Sequence, residues 1–471
     1  MTPWRPHEAD DCATRLSPRC HEMPHIILLG TLDSKLAEYL YIYDQLTNSP
    51  VQTKTPVKVT LVDCGRSPTK HDKITISQPD LISQYGPQNQ SKSLTDLPRG
   101  ELVKFMTSCA TTCIKDLISR GPVHGLISAG GSSGTSLTAA VMREAAPIGL
   151  PKIIVSTIAS GDTGPIVGET DITLMYSVVD IAGSNQLLRN VLSNAAGAMV
   201  GMASTYEAGR AMLGGLRGEQ KTRIGVTMFG VTTPCVDRVR QYLEDKYDVE
   251  VFVFHATGHG GRAMERLVAE GRLDAVLDIT TTEICDFLMG GNMSAGPDRL
   301  EAALRGGVPN VLSFGATGEY DHAVTIRTVG VLKSRFSDMV NFGPRATVPD
   351  KYQKRKLYEH NPSVTLMRTT KDECRQIGEF MVRKIKSAAK DLSNVQIRIP
   401  VGGVSMIAIP GASFADSIAD RELIETVQTG LEGSGVHIVE DERDINNEGF
   451  AIDIAEQLMA LTRRSANGQT D

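Results

Sequence analysis

The string "AGGSSGTS" (residues 129–136) interrupts an apolar run with Gly130, Gly131, Ser132, Ser133, Gly134 and Thr135, and a segment of helical character then begins. A glycine-rich turn entering a helix offers unpaired backbone N–H groups and the positive end of the helix dipole to an anion. The hydroxyls of Ser132, Ser133 and Thr135 add donors. Two other turns share this composition: "GTLDSK" (30–35), with Thr31 and Asp33, and "STIASGDTG" (156–164), with Ser160, Gly161 and Asp162. Each follows an apolar, strand-like run, and in open parallel sheets ligands bind beyond the carboxyl ends of the strands. The chemistry indicated is phosphate binding, with Asp33 or Asp162 as candidate holders of a Mg ion that neutralises phosphate charge. The lysine of GxxxxGK[ST] and the spacing of GxGxxG are both missing, so the turn is neither a P-loop nor a dinucleotide fingerprint.

The second half of the chain repeats this pattern more densely. "FHATGHGGRAMERL" (254–267) sets Thr257, Gly258, Gly260 and Gly261 before a helical run carrying Arg262 and Glu265. "DITTTEICD" (278–286) contains Asp278, Glu283 and Asp286, and "SAGPDRL" (294–300) places Arg299 near a helix start. An arginine on a first helical turn suits a carboxylate or phosphate. Thr257, Gly258, Gly260, Gly261 and Arg262 therefore join the expected nucleotide site. Arg262, Glu265, Asp278, Glu283 and Arg299 are the candidates for handling a small anionic substrate, although no nucleophile–base pair fixes a reaction. "GGVSMI" (402–407) is a further glycine-rich strand end. His255 and His259 lack a third metal ligand and are expected to be hydrogen-bonded or exposed.

The elements that must position these turns alternate between strand and helix, which predicts a parallel sheet covered on both faces. In the first series "HIILLGTL", "VKVTLVDCG", "VHGLISAGG" and "KIIVST" read as strands. Helices are expected over residues 33–46 and 101–119 and in "SNQLLRNVLSNAAGAMVGMASTYEA", and residues 67–100 read as an irregular polar excursion. "GGLRGEQKT" reads as a linker. A second α/β series follows, with strands "RIGVTMFG", "VEVFVFHATG", "LDAVLDIT", "VPNVLSFG", "VTLMRT", "VQIRIPVGG" and "GVHIVED". The expected organisation is a disordered tail over 1–22, a nucleotide-binding domain over 23–210 and a second α/β domain over 221–465, with a ligand cleft between the two domains.

A length of 471 residues exceeds the usual single core, which also favours two domains. The net charge of −6 gives no reason to expect nucleic acid, and no apolar run approaches the ~20 residues of a membrane span. A polar N-terminus and eight scattered cysteines predict a cytoplasmic protein with reduced thiols.

The phrases "SAGGSSGTSL", "PKIIVSTIASGDTGPIVGETDITLMYSVVDIAGSNQLLRNVLSNAAGAMVGM", "HATGHGGRAMERL", "LDITTTEI", "MSAGPDRLEAA", "DMVNFGP" and "HNPSVTLMRTT" occur in this order. They resemble the tomato mosaic virus resistance protein-like ATP-binding domain family over about Met23 to Ala460. The resemblance implies two Rossmann-like α/β domains, ATP as cofactor and a homodimer. It leaves two functions open: an ATP-binding protein, or an ATP-dependent enzyme of phosphoryl transfer or ligation acting on a small anionic metabolite in the interdomain cleft. The plant member carries a further barrel domain resembling a phosphoenolpyruvate-hydrolase-type enzyme. This chain is expected to lack that domain, and a separate barrel protein of that type is an expected partner.

One segment departs from the family pattern. In the family "SFGAT" runs almost directly into "DMVNFGP", whereas here residues 318–337 intervene. Gly318, Glu319 and Tyr320 permit the codons GGT GAG TAC, which contain the splice donor GTGAGT. Ser337 and Asp338 permit TCA GAC, which contains an acceptor AG in the same phase. Removing the 20 codons restores an Asp codon and yields "SFGATDMVNFGP". A retained intron is therefore expected at 318–337, and sequencing the mature transcript checks it: a message that encodes these residues removes the idea.

Overall fold

The computed structural model describes residues 23–48, 56–87, 97–215, 221–315, 339–362, 364–404 and 416–467. The chain divides into two compact units, Met1–Gly218 and Glu219–Asp471. The tail over 1–22 and the segment 318–337 lie outside the described residues, as do 405–407 of the "GGVSMI" phrase.

The first unit runs β1 (His25–Gly30), α1 (Leu32–Asn48), β2 (Lys58–Asp63), α2 (Gln78–Tyr85), α3 (Arg99–Arg120), β3 (Gly125–Gly130), α4 (Ser132–Ala145), β4 (Lys152–Ser156), α5 (Gly164–Val167), β5 (Thr173–Tyr176) and α6 (Gln186–Gly215). All five strands are parallel, in the order β2-β1-β3-β4-β5. The two-residue period of a strand explains why β1 is apolar without a break from Ile26 to Leu29. Ile26 and Leu28 enter the core under α1 and α6, while Ile27 and Leu29 enter the opposite core under α3 and α4. The excursion expected to be irregular contains α2. Ser77 caps it by accepting the N–H of Asp80, and Pro79 sits in its first turn, where a missing N–H costs nothing. The short edge strand β5 is also an addition to the sequence reading.

Strand order reverses direction between β1 and β3, and there the sheet opens. The β1–β2 register reaches Gly30 and Asp63, and the β3–β4 register reaches Gly130 and Ser156. The β1–β3 register ends at Leu28 and Ile127. The hydroxyl of Tyr39, from α1, fills the gap. It donates to the carbonyl of Ala129 (2.6 Å) or Leu29 (3.1 Å), accepts the Ala129 N–H (3.1 Å) and meets the Ser128 hydroxyl at 3.1 Å. Its fit requires glycine at position 30, where a Cβ would lie 1.7 Å from the Tyr39 oxygen.

The second unit runs β6 (Thr222–Met228), α7 (Thr233–Lys246), β7 (Val249–His255), α8 (His259–Ala269), β8 (Ala275–Thr280), α9 (Thr282–Met289), α10 (Glu301–Gly306), β9 (Asn310–Gly315), β10 (Met339–Phe342), β11 (Leu357–Asn361), β12 (Val364–Arg368), α11 (Lys371–Ala388), β13 (Val395–Pro400), α12 (Ser417–Leu431), β14 (His437–Asp441) and α13 (Glu448–Asn467). Its main sheet is parallel, in the order β14-β13-β9-β8-β6-β7. A small antiparallel sheet, β10-β12-β11, is separate from it. The expected strand "VTLMRT" belongs to this small sheet. Both units are thus α/β with mainly parallel sheets, as two Rossmann-like domains require.

Replacing Tyr39 by Phe leaves the Ala129 N–H buried without its partner, which costs about 1–3 kcal/mol. Denaturant unfolding of the Tyr39→Phe variant checks this, with an unchanged midpoint counting against the wedge.

Candidate functional site

In the first unit the strand ends and helix starts meet in a pocket of about 510 Å³. Thr31, Asp33, Ser34 and Lys35 come from the turn after β1, and Gly131, Ser132, Ser133 and Gly134 from the turn after β3. Cys64 and Arg66 follow β2, and Arg99 opens α3. Side chains cap neither the α3 nor the α4 N-terminus. The first intrahelical bond of α4 runs from the Thr135 N–H to the Gly131 carbonyl (2.8 Å). The N–H groups of Ser132, Ser133 and Gly134 precede it, which leaves them outside the helical ladder. Arg66 and Arg99 are both exposed and line the same pocket as these N–H groups and the Thr31, Ser132 and Ser133 hydroxyls. Such a collection of donors and cations is suited to a multiply charged anion.

Other nominated residues of this unit are engaged elsewhere. Thr135 is fully buried, and its hydroxyl meets Ser156 Oγ at 2.7 Å and the Gly130 carbonyl at 3.2 Å, which fixes the turn rather than offering a donor. Gly130 is buried as the last residue of β3. Asp33 accepts the N–H groups of Arg66 (2.9 Å) and Ser67 (3.2 Å), so it orients the Arg66 loop. Asp162 accepts the Gly164 N–H (3.1 Å) inside its own turn, and Ser160, Gly161 and Asp162 do not line the pocket. Asp63 stands behind the loop, accepting the N–H groups of Gly65 (2.9 Å) and Leu32 (3.2 Å), and burial pushes its carboxyl above the ordinary range.

The second unit gathers its nominated residues tightly, but inward. The Arg299 side chain is fully enclosed. Its Nε donates to Glu283 (2.8 Å), its two terminal nitrogens donate to Asp278 (2.6 and 2.7 Å), and Glu265 lies 3.4 Å away. Burial disfavours the guanidinium charge, but Asp278 and Glu283 overcome this and hold the pKa well above its ordinary value. Glu283 also accepts the N–H groups of Gly258 (2.6 Å) and Gly261 (3.0 Å), so the 257–261 turn is built onto the ion network. Gly261 is required by proximity, since a Cβ there would lie 2.0 Å from Glu283 Oε2. At Gly260 it would lie 1.9 Å from the His255 carbonyl. Gly258 has φ +89°, a region that disfavours side chains.

Glu265 accepts the N–H groups of Leu300 and Ala302, both at 2.6 Å. These bonds hold Leu300 at φ 78°, a costly conformation for leucine. Burial pushes the Glu265 carboxyl up, against the pull of Arg299 and these two N–H groups. Arg262 donates to the Ser294 carbonyl (2.9 Å) and meets His259 Nδ1 at 3.1 Å. Thr257 is at the same turn, its hydroxyl donating to the His255 carbonyl (3.3 Å), and the His255 ring lies against Phe229. Asp286 is fully buried with its carboxyl pushed up to about 7 by burial, and it accepts the N–H groups of Asn341 and Met293, both at 2.7 Å. The nominated catalytic candidates thus form a largely satisfied scaffold under the 257–262 turn.

Sequence reasoning missed Arg66, Arg99 and Tyr39. The first two were within reach of the strand-end rule, since "VDCGR" closes a strand and "LPRGE" opens a helix. Among the described residues no three His, Cys, Asp or Glu side chains gather as a metal set, and no helix is long and apolar enough to cross a membrane. Six cysteines are described, all buried and free, and burial pushes Cys109 to about 11 and Cys113 to about 12.

Residues 24–208 match the N-terminal domain of the Uncharacterised protein family (UPF0261), and residues 221–325 and 329–462 match its C-terminal domain. A UPF0261 protein of Clostridium tetani is 42% identical over 93% of this chain and 99% of its own length. The ToMV resistance protein Tm-1 of Solanum lycopersicum is 36% identical over 87% of this chain, which spans about half (52%) of that longer protein. A solved UDP-N-acetylglucosamine 2-epimerase from Rickettsia bellii is 11% identical, covers 56% of this chain and 76% of its own, and superposes with a TM-score of 0.20, too low to carry an argument.

Replacing Arg299 by Ala leaves three carboxylates buried around a void and should cost about 3–5 kcal/mol. Thermal unfolding of the variant measures this; a loss below about 1 kcal/mol would show that water replaces the guanidinium freely.

Proposed function

Since this chain belongs to the Uncharacterised protein family (UPF0261), we propose that it is a nucleotide-binding protein whose first unit holds the phosphates of ATP. The observation that carries this reading is the pocket at the β1/β3 opening, where the α4 N-terminus, three hydroxyls and two arginines are collected. Phosphate oxygens accept from the N–H groups of Ser132, Ser133 and Gly134, and the hydroxyls of Thr31, Ser132 and Ser133 supply lateral donors. Arg66 and Arg99, which line the same pocket, offset the charge. The residues fit the group: a Cβ on Gly131 would meet nothing nearer than Thr157 Oγ1 at 3.7 Å, and one on Gly134 nothing nearer than Thr31 Oγ1 at 4.0 Å. A phosphate entering the turn would use that space. The Arg66 and Ser67 N–H groups both take Asp33 Oδ2, so Oδ1 would be the oxygen offered to a Mg ion carried in with the phosphates.

A second reading, an ATP-dependent enzyme acting on a small anionic metabolite, draws on the surplus of carboxylates around Arg299. Asp278, Glu283 and Glu265 gather around a single guanidinium beneath the Arg262 turn. ATP consumption stimulated by one metabolite in a screen would favour this reading; tight binding without turnover favours the first.

Valine at position 131 or 134 should lower ATP affinity about tenfold or more by occupying the cradle. The fold should survive, because Gly131 has φ −78°, which any residue adopts, and both positions have room. Calorimetric titration of the folded Gly131→Val and Gly134→Val variants tests this: unchanged affinity would reduce the turn to a structural bend.

A further inference from the structure

The same pocket carries information about which part of a nucleotide it reads, an inference that rests on the phosphate site proposed above. Beyond the phosphate-facing groups, the wall is one face of α3 (Arg99, Leu102, Val103 and Met106, spaced i, i+3, i+4, i+7) together with Leu137 and Cys64. Leu102, Met106, Leu137 and Cys64 are almost wholly buried, which leaves Val103 as the half-exposed apolar surface. The backbone N–H and C=O groups of the α3 interior are consumed by the helix itself. The Cys64 N–H donates to the Gly30 carbonyl (2.8 Å), and burial keeps its thiol protonated.

The remaining polar groups are committed or of one sign. Lys35 donates to the Ile181 carbonyl, and Asp33 is turned onto the Arg66 and Ser67 N–H groups. Arg66 and Arg99 are donors without acceptor capacity. The Ser34 hydroxyl donates to the Thr31 carbonyl (3.3 Å), and on the α3 wall with Leu137 no side chain carries both a donor and an acceptor.

Adenine and guanine differ by an exchange of donor and acceptor at the base edge. A site built to hydrogen-bond one group rejects the wrong partner by about 10⁴–10⁵, whereas an apolar wall discriminates by only about 10–200-fold at best. We infer that this site recognises the phosphate chain and leaves the base unread, so that its ligand class is nucleoside triphosphates in general, with bare polyphosphate as the minimal ligand. Binding should follow charge: triphosphate over diphosphate over monophosphate, with the uncharged nucleoside failing to bind.

Titration calorimetry of the full chain with ATP, GTP, CTP, inorganic tripolyphosphate and adenosine tests the inference. ATP, GTP and CTP should bind within about fivefold of one another, tripolyphosphate should bind within about tenfold of ATP, and adenosine should not bind. Arg99→Ala and Arg66→Ala should weaken all the anionic ligands by a similar factor, about tenfold each. If ATP binds about a hundredfold tighter than GTP and CTP and the arginine variants still weaken it, the phosphate site stands and the unread base is refuted. Binding of adenosine without tripolyphosphate also refutes it. Failure of all five ligands overturns the phosphate site itself.

Discussion

The first unit depends on a single hydroxyl placed where two strands part. In a parallel sheet whose order reverses, the neighbouring strands β1 and β3 send their connections to opposite faces, and their ends separate. Separation exposes backbone N–H and C=O groups at the most buried place in the sheet, where each unpaired group is costly. Tyr39 resolves this by entering from α1 and bonding Leu29, Ser128 and Ala129 with one oxygen. Burial pushes its phenol up to about 12, so it remains a neutral donor across the physiological range. The opening that results lies under the turns at 31–35 and 131–134, which explains why the glycine-rich sequences converge there.

The second unit meets a similar demand with charge. A buried guanidinium is tolerated only when its donors are matched by acceptors, and Arg299 has Asp278 on two nitrogens and Glu283 on the third. Those carboxylates are shared outward, Asp278 with the Thr227 hydroxyl (2.7 Å) and Glu283 with the Gly258 and Gly261 N–H groups. The network therefore connects β6, β8 and the starts of α8 and α9 through side chains. It sets the shape of the 257–262 turn more firmly than backbone pairing alone could.

Much of this architecture was legible because parallel sheets buried on both faces produce continuous apolar runs, and "HIILLG", "GLISAG" and "KIIVS" have no other reading. The turns between them were legible through their glycines and hydroxyls. What escaped has physical reasons. The strand β5 is short and partly exposed, without the buried run that marks its neighbours. The helix α2 sits in polar sequence, and its identity rests on the Ser77 cap and Pro79 rather than on periodicity. Arg299 and Glu283 look like solvent-facing chemistry in a linear string, because sixteen positions of chain separate a bond that only folding reveals. Tyr39 reads as one more apolar position of an amphipathic helix, since nothing local records that its oxygen will meet a strand end ninety residues away.

The glycines separate the two glycine-rich regions by role, which composition could not do. A glycine can be required because the protein itself occupies the place of its missing side chain, or because something else must. In "TGHGGR" the protein is the occupant: a Cβ at Gly260 would strike the His255 backbone, and one at Gly261 the Glu283 carboxylate. Gly30 belongs to the same class through Tyr39. At Gly131 and Gly134 the nearest atoms stand at 3.7 and 4.0 Å, the Gly131 backbone is ordinary, and the open space lies against N–H groups and two arginines. Neighbouring atoms thus exclude a side chain at Gly260 and Gly261 but not at Gly131 and Gly134, and it is this open space, beside the first N–H groups of α4, that the proposed phosphate site uses.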